Sequence, residues 1–173
     1  LAALGAARGK STVGVVNARA DLVTAYRLCL WSRLANRVIL CLVREEGVNT
    51  PHQMREAVAA VAWEQHLPLG ASLAVDFHGR SEEIRHTRFG AQTVKDGVVD
   101  RLQARELPRP SVDLKQPDLR LYANLHRGRL VVSIDLSGES LHRRGYRRDV
   151  GHAPLKENLA AALLVRAGWP ELA

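Results

Sequence analysis

The chain has 173 residues, of which 46% are apolar and 25% carry a charge, a composition typical of a globular protein rather than a disordered one. No stretch approaches the roughly 20 apolar residues of a membrane span, and no basic-then-apolar leader is present, so we expect neither a membrane protein nor a secreted one. The formal net charge of +7 favours a polyanionic partner.

The two cysteines, Cys29 and Cys41, lack the spacing of a metal site. We expect both to be small core residues, as in a protein of the reducing cytoplasm.

The first part of the chain predicts an incomplete ferredoxin-like unit. Residues 1–5 resemble the end of a helix, and residues 6–10 and 12–16 can form a hairpin. Asp21 caps a helix that runs to about Arg33, and residues 38–43 form a buried-type strand. The apolar face expected for this helix contains Leu22, Tyr26, Cys29, Leu30 and Leu34. This order matches a βαββαβ unit that lacks its first strand.

The middle of the chain predicts helices packed on a sheet. Thr50, Pro51 and Gln53 form a capping box with proline at the first helical position, so a helix begins there. Residues 71–77 alternate as a strand, and the next helix runs to about Arg105 with a buried stripe at Ala91, Val94, Val98 and Leu102. Residues 119–125 and 130–136 alternate on either side of an Arg-Gly turn and predict a strand pair.

A basic connection and a final helix follow the last strand. Ser137 and Gly138 end that strand, and four arginines without an acid lie between Leu141 and Arg148. Pro154 occupies the predicted first position of a helix that continues to Ala167. A helix that is apolar nearly all round is normally buried on several sides. We expect part of this surface to be open in the present chain and covered in a longer protein.

The same region resembles a known family. Asp135–Gly138, Leu141, His142 and Arg144–Arg147 match the pattern D-L-S-G-x-x-L-H-x-R-G-Y-R, and Ala153–Glu157 with Leu159–Ala162 match A-P-[IL]-K-E-x-L-A-A-A. Both runs are similar to the junction of bacterial 23S rRNA guanine-N2-methyltransferases, where a THUMP RNA-binding domain joins an S-adenosylmethionine-dependent catalytic domain. Ile84–Asp100, Leu107–Asp113 and Tyr26–Val38 resemble earlier parts of that family. Cys41 departs from it, since relatives often carry proline there.

The resemblance implies an α/β (α+β) fold, with a THUMP domain after an incomplete ferredoxin-like subdomain and helices on a mixed sheet. It divides the chain into residues 1–46, a THUMP core at 47–136 that a profile could begin near residue 22, and a linker with a helix at 137–173. The implied partners are RNA, namely a 23S rRNA hairpin, and a C-terminal methyltransferase domain of the same chain. We expect no membrane and no metal partner, and a cytoplasmic location.

Basic and aromatic side chains are the predicted RNA contacts, since the guanidinium fork suits phosphate and an aromatic ring can stack on an unpaired base. Lys95 and Arg88 are expected to point away from the apolar face of their helix. The predicted set is Arg80, Arg85, Arg88, Lys95, Arg109, Arg143, Arg144, Tyr146, Arg147, Arg148 and Lys156.

Structural alternatives remain open for two of these regions. Arg144 and Arg147 can instead tie the linker to the sheet through acids such as Asp135 or Glu139. Arg88 and Lys95 can belong to a solvated helix face, because nearby acids reduce the local charge.

The sequence shows no catalytic site. It lacks a glycine-rich cofactor turn, an Asn-Pro-Pro-Phe clamp and a nucleophile elbow, and His78 with His86 are better explained as loop residues near RNA than as a metal pair. We therefore expect S-adenosylmethionine to be a cofactor of the parent protein and not of this chain. Two other hypotheses remain, the THUMP module of a thiouridine or pseudouridine synthase and a non-RNA interaction scaffold.

Overall fold

The computed structural model describes residues 7, 9–12, 14–146 and 153–169, which belong to two compact units. The terminal unit combines residues 1–38 and 136–173, and the sheet unit comprises residues 39–135. The elements, in chain order, are β1 (Lys10–Thr12), β2 (Val15–Asn17), α1 (Leu22–Trp31), β3 (Ile39–Glu45), α2 (Pro51–Ala59), a 3₁₀ helix (Trp63–Gln65), β4 (Ser72–Gly79), α3 (Thr87–Gln103), β5 (Ser111–Val112), β6 (Leu119–His126), β7 (Arg129–Asp135) and α4 (Glu157–Arg166).

In the terminal unit, β1 and β2 pair as an antiparallel hairpin, as predicted, but the turn includes Gly14 and does not lie between residues 10 and 12. Gly14 adopts φ 74° between the two strands, a conformation that glycine accepts without strain. The helix tail predicted for residues 1–5 lies outside the described residues.

Helix α1 begins as predicted but buries a different face. The Asp21 carboxylate accepts a hydrogen bond from the backbone N–H of Thr24 at 2.7 Å. Thr24 and Leu28 are the buried residues of the helix, whereas the expected face is wrong, since Leu22, Tyr26, Leu30 and Leu34 are exposed. Apolar residues surround nearly the whole helix, so periodicity could not select the side that packs.

The sheet unit is built on a five-stranded mixed sheet with the order β3-β7-β6-β4-β5. Strand β7 is antiparallel to both of its neighbours, β3 and β6, whereas β4 is parallel to both β6 and β5. Alternate residues of β6 and β7 face the core and are buried, namely Leu119, Leu121, Ala123, Leu125, Leu130, Val132 and Ile134. Arg127 and Gly128, both with positive φ, make the predicted turn between these two strands. The predicted mixed sheet covered by helices is confirmed.

Strand β3 departs from the sequence prediction in two ways. The prediction placed it in the ferredoxin-like part, but it pairs with β7 and forms one edge of the five-stranded sheet. Its expected burial is also wrong, because Val43 is buried while Ile39, Leu40 and Cys41 are exposed. The prediction of two core cysteines fails with it, since Cys41 is exposed and Cys29 only half-buried.

Two helices pack on this sheet through close backbone contacts. Helix α2 carries the predicted capping box between Thr50 and Gln53. Helix α3 approaches β4 so closely that a Cβ atom on Gly90 would lie 2.4 Å from the buried ring of Phe77. Gly97 lies similarly close to α2, where its neighbour is Val58. These contacts fix the height of α3 above the sheet, and therefore the position of its first turn.

An ion pair on the same face of the sheet gives this unit a pH-dependent part of its stability. Arg101 donates hydrogen bonds to the Glu64 carboxylate at 2.7 Å and 3.1 Å. These bonds are the main reason that the pKa of Glu64 falls to about 2, with smaller contributions from its own backbone hydrogen bond and the charge of Arg105.

We expect this stabilisation to be complete above about pH 4.5, the ordinary pKa of glutamate, and to be lost as the pH falls towards 2. Replacing Glu64 by glutamine should therefore make the melting temperature less sensitive to acid between these values. Melting curves from pH 6 to 2 measure the effect, with Glu83→Gln, an exposed acid on a loop, as the control. Parallel curves for wild type and Glu64→Gln would contradict this role.

The start of helix α4 also differs from the prediction. The helix begins at Glu157 with Lys156 as its N-cap, so Pro154 precedes it and does not occupy its first position. No described residue of α4 is buried, which agrees with the expectation that part of its apolar surface is open in this chain. The exposed apolar side chains of this region are Leu155, Leu159, Leu163, Leu164, Val165 and Trp169. None of the helices within the described residues is long and apolar enough to cross a membrane.

Candidate nucleic-acid interface

Three of the predicted arginines lie together where β4 ends and α3 begins. Arg80 follows the last residue of β4, Arg85 lies on the connecting loop and Arg88 is in the first turn of α3. The loop is held in place by Ser81, whose hydroxyl donates to the carbonyl of Asn49 at 2.9 Å and accepts from the backbone N–H of Ile84 at 3.1 Å. Because Ile84 is fully buried, the loop is anchored between Arg80 and Arg85.

These arginines keep most of their donors available. Arg85 donates from Nε to the carbonyl of Glu82 at 2.9 Å, which leaves its two terminal nitrogens without a partner among the described residues. Neither Arg80 nor Arg88 has a side-chain hydrogen bond or ion pair within the part of the chain that the structure describes. His86 is the N-cap of α3, and its side chain makes no capping hydrogen bond. The partial positive charge at the N-terminus of α3 therefore adds to the charge of these arginines.

Phe89 joins this cluster and was missed by the sequence prediction. Its side chain is 46% exposed and lines a surface depression together with Arg85, His86, Thr87, Arg88 and Gln92. A signal was present in the sequence, because Phe89 lies off the stripe of α3 that contains Val94 and Val98. A large aromatic on the polar face of a helix is the kind of exposed apolar group that needs an explanation.

Lys95 and Arg109 do not join the cluster. The side chain of Lys95 is only 13% exposed and its Nζ lies 3.2 Å from the Asp96 carboxylate, so its ammonium group is already paired with an acid. A lysine stem can lie along apolar surface while its ammonium reaches an acid. Arg109 precedes β5, which pairs in parallel with the first residues of β4, so it lies at the opposite end of that strand from Arg80.

In the terminal unit, Arg144 is engaged by the protein itself. Its guanidinium donates to the carbonyls of Cys29 at 2.7 Å, Leu30 at 3.1 Å and Ser32 at 3.2 Å, and its Nε donates to Leu141 at 2.6 Å. The first three carbonyls lie at the end of α1, where a helix leaves such groups without internal partners. The tie between linker and fold that was weighed as an alternative therefore exists for Arg144, but it runs to α1 carbonyls and not to acids.

The other described members of the predicted set in this unit are accessible. Arg143 and Lys156 have no side-chain partner among the described residues, and Tyr146 is 80% exposed. Gly145, between Arg144 and this tyrosine, adopts φ 75° with open space around it. Arg147 and Arg148 lie outside the described residues.

A polar turn beside Arg144 was also missed. The Nδ1 atom of His142 lies 2.7 Å from the Ser140 hydroxyl and 3.0 Å from Oδ1 of Asn36, and Ser140 itself donates to Asn36. The backbone N–H of Leu141 donates to the Asn36 carbonyl at 2.9 Å. These contacts suit a histidine with its proton on Nδ1 and hold the segment 140–144 against residue 36. No sequence pattern linked residues so far apart.

The two histidines considered as a pair remain separate. His78 is exposed near the end of β4, and His86 caps α3. Within the described residues, no group of three or more His, Cys, Asp or Glu side chains could hold a metal ion.

The glycine that ends β4 does not offer a site for S-adenosylmethionine. Such a site needs a glycine-rich turn after a strand, with open space beside the backbone for the cofactor. The glycine that ends β4, Gly79, instead faces the neighbouring strand, since a Cβ atom there would lie 1.9 Å from the carbonyl oxygen of Leu125. No catalytic step is therefore assigned to these residues.

The THUMP domain model matches residues 48–135, which is about half of the chain, and the chain belongs to the THUMP domain family. Residues 1–39 match a second model, described as the RlmL ferredoxin-like domain. A ribosomal RNA large subunit methyltransferase K/L from Chromohalobacter salexigens is 65% identical over 98% of this chain, and its namesake from Pseudomonas aeruginosa is 54% identical over 98%. The chain spans 23% of the length of each of these relatives.

Solved structures agree with this assignment. A predicted N6-adenine-specific DNA methylase from Listeria monocytogenes superposes with a TM-score of 0.81 at 30% identity, covering 95% of this chain and 43% of that one. A putative methyltransferase complexed with SAH superposes with a TM-score of 0.70 at 28% identity, covering 83% of this chain and 38% of that one.

Proposed function

We propose that this chain is the RNA-binding region of an S-adenosylmethionine-dependent enzyme that methylates the N2 amino group of a guanine in 23S rRNA. In this proposal the chain binds and positions an rRNA hairpin, and the chemistry belongs to a catalytic domain elsewhere in a longer cytoplasmic protein. The observation that carries the proposal is the coincidence of a THUMP match over residues 48–135 with Arg80, Arg85 and Arg88, whose terminal guanidinium nitrogens have no partner among the described residues.

The relatives support a methyltransferase over the other RNA-modifying enzymes considered. Those compared above are named rRNA methyltransferases, and the similar solved chains are described as methylases or methyltransferases. The matches extend over the arginine-rich segment and α4. The predicted division was 1–46, 47–136 and 137–173, but β3 belongs to the sheet unit. We therefore propose that the ferredoxin-like part ends near residue 38, that the THUMP core runs from β3 to about residue 136, and that residues 137–173 form the linker to the catalytic domain. The exposed apolar side of α4 is the surface that this domain would cover.

The predicted RNA contacts differ in how available their side chains are. Arg144 is occupied and Lys95 is largely buried, so neither offers a free charge. The proposed phosphate contacts of the sheet unit are Arg80, Arg85 and Arg88. In the terminal unit they are Arg143 and Lys156, with Tyr146 as a stacking surface and with Arg147 and Arg148 as predicted members. Arg109 stays a predicted contact at the opposite end of the sheet.

The test is the salt dependence of RNA binding by the chain. Replacing both Arg85 and Arg88 by alanine should weaken binding to a labelled RNA hairpin with single-stranded flanks. It should also reduce the slope of log affinity against log salt by roughly 0.7–0.9 for each phosphate that the variant no longer neutralises. Fluorescence anisotropy at several KCl concentrations measures both quantities.

Lys115→Ala is the matched control, since it removes an exposed positive charge from the β5–β6 connection of the same unit. An unchanged slope in the arginine double variant, with melting curves like those of wild type, would overturn this interface. A wild-type chain that binds RNA without salt dependence, or not at all, would overturn the RNA-binding function and favour the scaffold hypothesis.

The modified base requires the longer protein. We expect a methyl group from labelled S-adenosylmethionine to appear on N2 of guanosine when 23S rRNA is the substrate, as nucleoside mass spectrometry would detect. The product N6-methyladenosine would contradict the proposal and would suit the description of the Listeria monocytogenes relative.

A further inference from the structure

Phe89 occupies an unusual place for a large apolar side chain. It lies in the first turn of α3 with nearly half of its side chain in solvent, while Val94 and Val98 of the same helix are fully buried. Its backbone carbonyl accepts a bond from the Thr93 hydroxyl at 3.0 Å, but no aromatic stacking partner for the ring exists among the described residues. The ring is therefore a rigid apolar surface that the sheet unit leaves partly uncovered.

The surroundings of this ring are cationic. The depression that Phe89 lines is bordered by Arg85 and Arg88, and no carboxylate contributes to its lining. Gln92, on the next turn, is held by a hydrogen bond from its amide to Asp96 at 2.9 Å. An apolar protein side chain placed on the ring would remove water from two guanidinium groups without pairing them, which is unfavourable.

We propose that this depression is a subsite for a single unpaired nucleotide of RNA, whose base stacks on Phe89 while its flanking phosphates pair with Arg85 and Arg88. The proposal rests on the RNA-binding function above and adds the form of RNA that the THUMP core selects. Every base has a face that can stack on an aromatic ring, and two arginines at the border match the charge of the backbone. Bases inside a duplex are already stacked, so this subsite favours a loop, a bulge or a single-stranded end.

The experiment compares two RNA probes with the same chain. One is a labelled single strand of about 12 nucleotides without self-complementarity, within the range that single-strand binders cover, and the other is the duplex formed with its complement. Phe89→Ala should weaken binding to the single strand by about 5- to 100-fold and leave the affinity for the duplex nearly unchanged. Phe89→Tyr should restore binding to the single strand, because it keeps the ring.

Two further variants test whether binding to the single strand requires an aromatic ring at position 89 or only an apolar side chain. Phe89→Leu keeps apolar volume without a ring, so it should bind the single strand as weakly as Phe89→Ala. Leu114→Ala removes an exposed apolar side chain after β5 and should have no effect on either probe. Melting curves for all variants establish that they are folded, and Phe89→Leu also serves if the alanine variant proves unstable.

The possible outcomes separate the nucleotide subsite from RNA binding in general. If Phe89→Ala resembles Leu114→Ala while Arg88→Ala still lowers the salt slope, RNA binding stands and the nucleotide subsite is overturned. Equal losses on single strand and duplex would also overturn it, since the ring would then only position the arginines. If wild-type chain binds neither probe in a salt-dependent way, both proposals fall together.

Discussion

Replacing Arg144 by alanine should lower the free energy of unfolding of the terminal unit by about 2–3 kcal/mol, the upper part of the range for hydrogen bonds to charged groups. The variant removes one guanidinium that serves the carbonyls of Cys29, Leu30 and Ser32 at the end of α1. It also removes a positive charge from the negative end of that helix. Chemical denaturation followed by circular dichroism measures the loss, and amide exchange in α1 should accelerate with it.

A lysine at this position should recover less than half of the missing stability. Its single ammonium cannot reach several carbonyls in the geometry of a planar fork. Arg143→Ala is the matched control from the adjacent residue, whose side chain has no partner among the described residues, and it should change stability by less than about 0.5 kcal/mol.

The same pair of variants distinguishes an arginine that stabilises the fold from an arginine that binds phosphate. Arg143→Ala should reduce the salt slope of RNA binding while the chain keeps its stability. Arg144→Ala should affect RNA binding only to the extent that α1 and the linker lose their structure. If Arg144→Ala instead lowered the salt slope and left the unfolding curve unchanged, its guanidinium would be a phosphate ligand and its bonds to α1 would contribute little.

Local patterns allowed the parts of the fold that depend on neighbouring residues to be predicted. The capping box of α2 lies within four residues, Thr50 to Gln53, and the alternation of β6 is visible in its own sequence. The turn at Arg127 and Gly128 follows from two residues. In each case the physical cause and the pattern occupy the same short segment, so no tertiary information is needed.

The failures involve contacts between distant residues or a choice among equivalent faces. Helix α1 offers apolar side chains on most of its surface, and only packing selects Thr24 and Leu28 as the buried ones. Arg144 finds its carbonyl partners more than 110 residues earlier in the chain, which no spacing rule detects. The number of arginines therefore gives the charge of the segment correctly. It does not show that Arg144 binds carbonyls of the protein itself.

The sequence identified some residues of the candidate site and not others, because residue type alone does not show which side chains the fold leaves free. Arg85 and Arg88 were identified from their residue type, and the structure shows that they line the same depression. Lys95 has the same charge but lies against the protein beside Asp96. Phe89 was assigned no role, although its position off the buried stripe of α3 could have identified it.

The close approach of α3 to β4 at Gly90 leads to the second prediction with a large expected effect. It concerns both the stability of the sheet unit and the position of the proposed RNA-binding residues in the first turn of α3. Gly90→Ala should lower the free energy of unfolding of the sheet unit by about 1–3 kcal/mol, as overpacking of a core does. Alanine normally favours a helix by up to about 1 kcal/mol over glycine, so a net loss identifies a steric cause. The added methyl group would lie 2.4 Å from two ring atoms of Phe77, a side chain that is buried and cannot move aside freely.

A double variant tests that cause directly. In a Phe77→Leu background the ring is absent, so adding Gly90→Ala should cost much less than it does alone, with a coupling energy of about 0.5–3 kcal/mol for residues in contact. Because the added methyl group displaces the first turn of α3, the single variant should also bind RNA more weakly at temperatures where it remains folded. Full stability in the single variant, or the same loss with and without Phe77, would mean that this approach does not set the position of Arg88 and Phe89.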